Sequence, residues 1–354
     1  MVIYIIQALD GDCFVIDFDN GKCILIDGGY SITFNNKLKP VLLELHDQGK
    51  SLEYVISTHY DKDHISGLIE FIKQNGKYGN EQIIPIENVI MNGYGSFSSQ
   101  NVQLLIPESE RPYLDGSYEI SSTQQIELDQ LCENNQYPIN VCAGGSFITN
   151  GIIVKGADYT IHFLSPTKDS LEKFKQQLLK EKPLPVQSNS NIIETREIAG
   201  FFYSDIADWK NLPEGSSLNI INKASISFEI EYNGKHMLFC SDSDMNDIRK
   251  NLKQHYDVIK LSHHGTYYGN QCFIGKNAIT ADKYIISTNA KRDNREHPNR
   301  LLLHGILTLP HKKRLYCNYI ISDVKNGIYG LLENNEQQER YDFEYFANWL
   351  KFEV

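Results

Sequence analysis

Short apolar runs ended by turn residues make up the first part of the chain. Asp-Gly and Asn-Gly pairs lie between these runs, and such pairs favour tight turns between neighbouring strands. The pattern therefore predicts a three-stranded meander at the start of the chain. Its strands are expected at residues 2–8, 13–18 and 22–26.

Apolar positions at helical spacing then alternate with further apolar runs, which is typical of layered α/β proteins. Helices are expected at residues 37–49, 65–74 and 169–180. Further strands are expected at residues 52–57, 159–164, 225–232, 236–239, 256–261 and 283–287. Beyond Arg314 the pattern predicts two more strands and an aromatic C-terminal helix.

Two long stretches, residues 94–158 and 167–215, interrupt this alternation. The first is polar and weakly periodic, and the second is polar and loop-like after the expected helix at residues 169–180. We interpret them as insertions at the surface of the fold. The chain shows no repeat of fixed period and no clean linker, so residues 1–354 are expected to form a single domain with these two insertions.

Composition and charge narrow the class of protein. A net charge of −11 disfavours a nucleic-acid coat protein or a binder of anionic membranes, since both need a cationic surface. No run approaches the roughly 20 apolar residues of a membrane span, and the first residues predict a strand rather than a signal peptide. Seven scattered cysteines without a CxxC pair favour reduced thiols. We therefore expect a cytoplasmic protein with no membrane partner.

The densest chemical signal is the segment Thr-His-Tyr-Asp-Lys-Asp-His at residues 58–64, directly after a buried strand. One ion needs only three or four ligands, so these four metal-capable side chains, joined by distant ligands, can serve two. Either aspartate alone fits a carboxylate in the first turn of a helix. All four together favour a metal site. These residues are His59, Asp61, Asp63 and His64.

Two later strands also end in candidate ligands. One ends at Asp242, a carboxylate that can bridge two cations, and the other at His263 and His264. The alternative for Asp242 is a helix N-cap, although Asp244 suits that role better. The alternative for the histidines is a surface pair, which is less expected after an apolar strand.

The set resembles the metallo-β-lactamase fold, whose local signature is HxHxDH. Here Asp61 gives HxDxDH, which is similar to the hydrolase domains of DNA-uptake competence proteins of the ComEC-like group. The resemblance spans about residues 1–305 and implies an α/β fold, a four-layer αβ/βα sandwich. It implies a bridging role for Asp242. The implied metal ligands are His59, Asp61, Asp63, His64, Asp242 and His263, with His263 preferred over His264 because it lies where the strand ends.

The chain departs from the wider superfamily at the third histidine ligand. We interpret His162, which lies on a predicted strand without a flanking motif, as a structural residue. In place of the missing histidine stand Asn222 and Ser225, which can hydrogen-bond to substrate or orient ligands.

The expected cofactors are two divalent metal ions, zinc or manganese. Asp61 in place of a histidine shifts the preference toward manganese, because oxygen ligands suit the harder ion. Such a pair of ions activates water for hydrolysis. The leading hypothesis is therefore a phosphodiesterase or nuclease acting on a nucleotide or a short nucleic acid. Asp63, His264 and His297 are the predicted catalytic residues.

A locally basic segment favours a phosphate substrate. Residues 251–314 contain eleven basic and four acidic residues, a balance of +7, and cations beside a metal site can receive phosphate oxygens. Lys291, Arg292 and Arg295 are the predicted substrate-binding cations. Two alternatives stay open: a metal-dependent hydrolase of a lactone, thioester or amide, and a non-catalytic binding protein that keeps the fold.

Overall fold

The computed structural model describes residues 1–76, 82–98, 121–180, 218–289, 297–319, 341–344 and 349–354. Within these ranges the strands are β1 (Val2–Ile6), β2 (Phe14–Asp17), β3 (Lys22–Ile26), β4 (Ser51–Ser57), β5 (Val89–Met91), β6 (Ile153–Lys155), β7 (Tyr159–Ser165), β8 (Ser227–Tyr232), β9 (Lys235–Phe239), β10 (His255–Lys260), β11 (Thr280–Ile286), β12 (Lys313–Cys317), β13 (Tyr341–Glu344) and β14 (Trp349–Glu353). The helices are α1 (Ser31–Thr33), α2 (Lys39–Asp47), α3 (Lys62–Gln74), α4 (Gly95–Ser98), α5 (Ser121–Asn134), α6 (Lys168–Lys180), α7 (Ile220–Lys223) and α8 (Arg300–Leu307).

The first sheet has the strand order β14-β1-β2-β3-β4-β5. Strands β1 to β3 pair antiparallel, as the predicted meander requires, and β4 and β5 continue the sheet in parallel. The predicted C-terminal helix is wrong, because residues 349–353 form β14, antiparallel to β1. Phe352 of β14 is buried and stacks on Tyr316, 4.2 Å away between ring centroids. The pairing partner lies at the other end of the chain.

The second sheet has the order β13-β12-β11-β10-β9-β8-β7-β6. Strands β6 to β9 pair antiparallel, and β9 to β13 pair parallel. The predicted hairpin about Asn233 and Gly234 is confirmed, with Tyr232 opposite Lys235. Parallel strands direct their carboxyl ends to one edge of a sheet, so the ends of β9, β10 and β11 lie together.

Three apolar clusters define four layers. The central cluster lies between the sheets and includes Ile5 and Phe14 from the first sheet and Phe228 and Val258 from the second. A second cluster packs α2, α3, α5 and α6 on the outer face of the first sheet. A third packs α8 on the outer face of the second sheet. Two sheets between helices confirm the predicted α/β sandwich.

Part of the polar stretch 94–158 contributes to the core, which corrects its interpretation as a surface excursion. Leu128 and Cys132 of α5 are 1% and 0% exposed, because residues four apart share one helix face and that face packs on α3. Residues 99–120 and 181–217 of the two proposed insertions lie outside the described residues. The single-domain arrangement stays a prediction.

Glycines let two loops approach α3 closely. A Cβ at Gly67 of α3 would lie 1.9 Å from the carbonyl oxygen of Gly28, which follows β3. A Cβ at Gly11, in the loop between β1 and β2, would lie 1.9 Å from the carbonyl oxygen of Asp63. Side chains are therefore excluded at both positions, and the two loops lie directly against the first turns of α3.

All seven cysteines are free thiols. No helix in the described part of the chain is long and apolar enough to cross a membrane.

Candidate metal centre

The predicted ligands converge at the carboxyl ends of strands from both sheets. Strand β4 leads into His59, β9 leads into Asp242, and β10 leads into the two adjacent histidines. The first turn of α3 adds Asp63 and His64, both buried. Ligands in open α/β layers bind at this edge, where several strand ends meet.

One carboxylate oxygen lies at the centre of the cluster. The Oδ2 of Asp242 is 3.6–3.8 Å from the Nε2 atoms of four imidazoles. These belong to His59, His64, His263 and His264. The four imidazoles therefore surround this one carboxylate oxygen.

Two overlapping groups of side chains offer ligand atoms within 4.8 Å of one another. The first comprises His59, His64 and Asp242, and the second comprises Asp63, His64 and His264. Asp61 adds a carboxylate 3.6 Å from the Nε2 of His59. The carboxylate of Asp63 lies 3.4 Å from the Nε2 of His264. Each group offers the ligand atoms of a metal site, and the two groups share His64.

Orphaned polar atoms fit this interpretation. Among the described residues, the Nε2 atoms of His59, His64 and His264 and the Oδ1 of Asp242 are buried without a hydrogen-bond partner. Buried polar atoms are nearly always paired, so several unpaired ones in a single cluster call for an explanation. Nitrogen and carboxylate oxygen donors are those that zinc and manganese accept, and the residues present fit such ions.

Three of the four histidines are held by a partner at Nδ1. His64 donates to Asp27 across 2.8 Å, His59 lies 3.1 Å from Thr58 Oγ1, and His264 donates to the carbonyl of Ser287 across 3.0 Å. A proton on Nδ1 leaves Nε2 free for a metal. The Nδ1 of His263 has no partner in the described part of the chain.

This difference separates the two adjacent histidines. His264 has a fixed Nδ1 and belongs to a group with Asp63, whereas His263 is in neither group and its side chain is 25% exposed. The sequence preference for His263 as the ligand is therefore not what the geometry favours. His264 lies in a candidate group and His263 is the more exposed of the two, although both Nε2 atoms are 3.8 Å from the Oδ2 of Asp242, so the choice of ligand stays a prediction.

Buried residues that the sequence left without a role support the cluster. Asp27 accepts bonds from the backbone N–H and the hydroxyl of Thr58, at 2.8 and 2.6 Å. Asp12 lies 3.5 Å from the Nδ1 of His264 and is ion-paired with Lys260. The Asp-Gly-Asp turn, Asp27 and the strand-end Lys260 belong to the segments that resemble the ComEC-like group, but the sequence assigns none of them a role.

Burial and opposite charges shift the pKa values of these groups. Burial alone would raise the pKa of Asp63, but His264 and His64 hold it well below its usual range. Burial also opposes the charge of Asp242, yet the surrounding histidines keep its pKa well below normal. Burial would lower the pKa of His264, but Asp242 and Asp12 raise it to about 9. The site favours ionised carboxylates.

The backbone is strained around the cluster. Asp27, Ser241, His263 and His264 adopt left-handed φ angles of 53°, 49°, 45° and 57°. Such conformations are costly for residues other than glycine, and they concentrate at functional sites. At these turns the strain directs side chains from the ends of β3, β9 and β10 toward one centre.

The structure also places the remaining predicted residues. His297 lies beside the site, with ring centroids 5.6 Å from His263 and 6.0 Å from His264. Asn222 and Ser225 are 3% and 0% exposed, and their Oδ1 and Oγ atoms have no partner in the described ranges. His162 is half-buried on β7 opposite Glu229, outside both metal groups.

Hydrogen bonds place the Asn222–Ser225 turn between two ligand-bearing loops. The carbonyl of Ser225 accepts a bond from Ser243, and the N–H of Ile226 donates to the carbonyl of Thr58, each at 2.8 Å. Ser243 follows Asp242, and Thr58 precedes His59. The turn therefore adjoins both sides of the cluster.

The basic segment needs a correction. Lys260 is buried against Asp12, and Lys313 is buried among the carbonyls that end α8, so neither faces the site as a free cation. Lys291, Arg292 and Arg295 lie outside the described residues. The described residues that flank this segment adjoin the site at the carbonyl of Ser287 and at His297.

Comparisons with known proteins agree with the fold. The model of the metallo-beta-lactamase superfamily matches residues 6–78, which include the four candidate ligands of the segment 58–64. This match and the two-sheet sandwich support a metallo-β-lactamase superfamily fold. A search of curated proteins finds no significant match.

Several solved structures are similar over nearly the whole chain. The metallo-beta-lactamase fold protein YhfI from Bacillus subtilis has 10% identity and a TM-score of 0.44, over 99% of this chain and 98% of its own. Zinc-bound PqqB from Methylobacterium extorquens has 9% identity and a TM-score of 0.41, over 100% of each chain. A diphosphatase of the PhnP family has 9% identity and a TM-score of 0.40, over 100% of this chain and 98% of its own.

Proposed function

We propose that this protein is a dinuclear metal-dependent hydrolase. The observation that carries the proposal is the central position of Asp242, whose Oδ2 lies within 3.8 Å of the Nε2 atoms of four histidines. His59, Asp61 and Asp242 would hold one ion, and Asp63, His64 and His264 would hold the other with Asp242 as the bridge. When bound, two such ions supply Lewis acidity and a nucleophile at neutral pH.

The exposed side of the cluster indicates where a substrate would enter. The side chains of His59, His64 and His264 are at most 3% exposed, whereas those of Asp61 and His263 are 30% and 25% exposed. Substrate would therefore approach between these two residues. His263 and His297, whose rings are 5.6 Å apart, would donate or accept protons at this open side.

We infer that the substrate is a phosphodiester in a nucleotide or a short nucleic acid. The segment bearing Lys291, Arg292 and Arg295 is flanked by Ser287 and His297, both at the site. Phosphate oxygens need such donors as well as metal ions. The HxDxDH variant and the histidine pair also support an assignment to the ComEC-like group.

Hydrolysis of bis-p-nitrophenyl phosphate compared with a lactone panel tests the substrate class. We expect turnover of the phosphodiester, its loss in Asp63→Ala, and support by Mn²⁺ at least equal to that by Zn²⁺. Turnover of lactones alone would overturn the phosphodiester assignment. Restoration of a metal-stripped sample by zinc only would overturn the metal preference.

A triple variant tests the basic segment. Lys291→Ala with Arg292→Ala and Arg295→Ala is expected to raise KM for the phosphodiester by about tenfold or more, since charge-assisted bonds to phosphate are lost. The matched control is Lys250→Ala with Lys276→Ala, because both lysines are exposed and precede the amino ends of β10 and β11, opposite the site. An equal effect in both variants would mean that overall charge, not the segment, affects KM.

A further inference from the structure

Lys260 is a charged side chain enclosed in the protein. It ends strand β10 and is 1% exposed, and its ammonium is ion-paired with the equally buried Asp12. The same ammonium donates to the carbonyl oxygen of Ser241 across 3.2 Å. Apolar residues of similar size often serve stability as well as a buried ion pair does, so the pair calls for a reason beyond packing.

Both partners of Lys260 adjoin candidate ligands. Asp12 lies 3.5 Å from the Nδ1 of His264, on the ring edge opposite the free Nε2. Ser241 has a left-handed φ of 49° and directly precedes Asp242. One ammonium group therefore contacts both the carboxylate behind His264 and the strained peptide that carries the bridging carboxylate.

A third group of side chains, Asp12, Asp27 and His64, also has ligand atoms within 4.8 Å of one another. Asp27 accepts bonds from Thr58 and His64, and the Oδ2 of Asp12 is ion-paired with Lys260. The Oδ1 of Asp12, without a hydrogen-bond partner in the described residues, faces the Nδ1 of His264 across 3.5 Å. This group therefore forms a layer behind the metal centre, in which the lysine neutralises a carboxylate.

We propose that Lys260 and Asp12 form a positioning pair that holds His264 and Asp242 in their metal-binding orientations. The inference rests on the proposed function, since it assigns the pair a task at that same site. Neither residue is a catalytic residue, because Asp242 and the histidines lie between the pair and the open side. Loss of the pair should weaken metal binding even where the fold persists.

A charge-neutral double variant separates positioning from folding. Removing one partner alone leaves an unpaired buried charge and can prevent folding. Asp12→Asn with Lys260→Met removes both charges at similar volume. We expect cooperative thermal unfolding of this double variant, with a Kd for Mn²⁺ raised on the order of 10–100-fold. The Kd is measured by competition with a chromophoric chelator, and the visible spectrum of Co²⁺ added to metal-stripped protein reports ligand geometry.

The matched control is a second buried lysine–aspartate pair, Lys50 and Asp17, with side chains 12% and 5% exposed. Asp17 is the last residue of β2, whereas Asp12 lies in the loop before β2, so the two pairs lie at opposite ends of this strand. Asp17→Asn with Lys50→Met should lower stability and leave the Kd for Mn²⁺ and the Co²⁺ spectrum unchanged.

Three outcomes decide the proposal. Weakened metal binding in the Asp12 and Lys260 double variant alone supports the positioning pair. Equal metal affinity in the wild type and in both folded double variants overturns it and leaves the proposed function standing. A wild type that binds no metal overturns the proposed function and, with it, the positioning pair.

Discussion

The Nδ1 of His64 lies 2.8 Å from the Oδ2 of Asp27, and both side chains are fully buried. A carboxylate can only accept, so His64 donates from Nδ1, and its Nε2 lies 3.6 Å from the Oδ2 of Asp242. Thr58 fixes the carboxylate through two further hydrogen bonds. The tautomer of a candidate ligand is thus set by a residue that no metal would touch.

Replacing this carboxylate should weaken metal binding. Asp27→Asn removes the charge that holds the His64 proton on Nδ1, so we expect metal affinity to fall by about 10–100-fold. Titration of the metal-stripped protein with Mn²⁺ measures the change in Kd. Glu229→Gln is the control. The Oε1 of Glu229 lies 2.9 Å from the Nδ1 of His236, and neither residue belongs to a candidate metal group. Equal losses in both variants would contradict a specific role for Asp27.

The adjacent histidines should separate by function. His264→Ala removes a ligand with a fixed Nδ1, so we expect bound metal to fall below two ions per chain. His263→Ala leaves the two candidate groups intact, so we expect two ions with a kcat reduced by about 100-fold, the range of acid–base catalysis. Metal analysis and kinetics on the same samples check both. Full metal content in His264→Ala would reverse the two roles.

The close packing of α3 should be sensitive to a single methyl group. By helix propensity alone, Gly67→Ala would stabilise α3 by up to about 1 kcal/mol. However, its Cβ would lie 1.9 Å from the Gly28 carbonyl oxygen, and overpacking costs about 1–3 kcal/mol. We expect a net loss in the free energy of unfolding by urea. Gly95→Ala is the control, since its nearest contact would be 3.5 Å, and an equal loss there would be unexpected.

A buried carboxyl distant from the metal groups should give stability a pH dependence. Burial raises the pKa of Asp129 to about 7, although it accepts bonds from the N–H groups of Tyr94 and Gly95. The contribution of Asp129 to the free energy of unfolding is complete below the unfolded pKa of 3.8. It is lost as the pH rises through the folded pKa of about 7.

Between pH 4 and pH 8 the wild type should therefore lose stability relative to Asp129→Asn, by at most about 4 kcal/mol. The nearby Glu133 adds to the rise in pKa. Urea unfolding of both proteins across this range measures the difference. Parallel curves would show that folding leaves the pKa of Asp129 unchanged.

Local patterns predicted most of the elements but not their partners. The strands about Cys13 and Asn233 follow from turn residues and alternation, and both are present. The strand at residues 349–353 was predicted as a helix, because its pairing with β1 joins opposite ends of the chain. The sequence does not reveal the buried face of helix α5, because two buried residues in a polar stretch give a weak periodic signal.

The candidate site divides in the same way. Ligand types clustered along the chain, as at His59 and His64, are visible in the sequence. Asp12, Asp27 and Lys260 act through contacts that span 19 residues or more, which no local spacing reveals. The choice between His263 and His264 depends on which Nδ1 has a partner, and that requires the fold.

The number of metal ions per chain tests the central claim most directly. Elemental analysis of the wild type after saturation with Mn²⁺ and removal of excess metal should give two ions per chain. The same analysis of Asp242→Ala should give at most one, because the bridging carboxylate is lost. Asp244 is a neighbouring buried carboxylate that is paired with Lys223, and the Asp244→Asn variant should keep two ions per chain. A wild type that retains no metal, or an Asp242→Ala variant that retains two ions, would contradict a dinuclear centre built on Asp242.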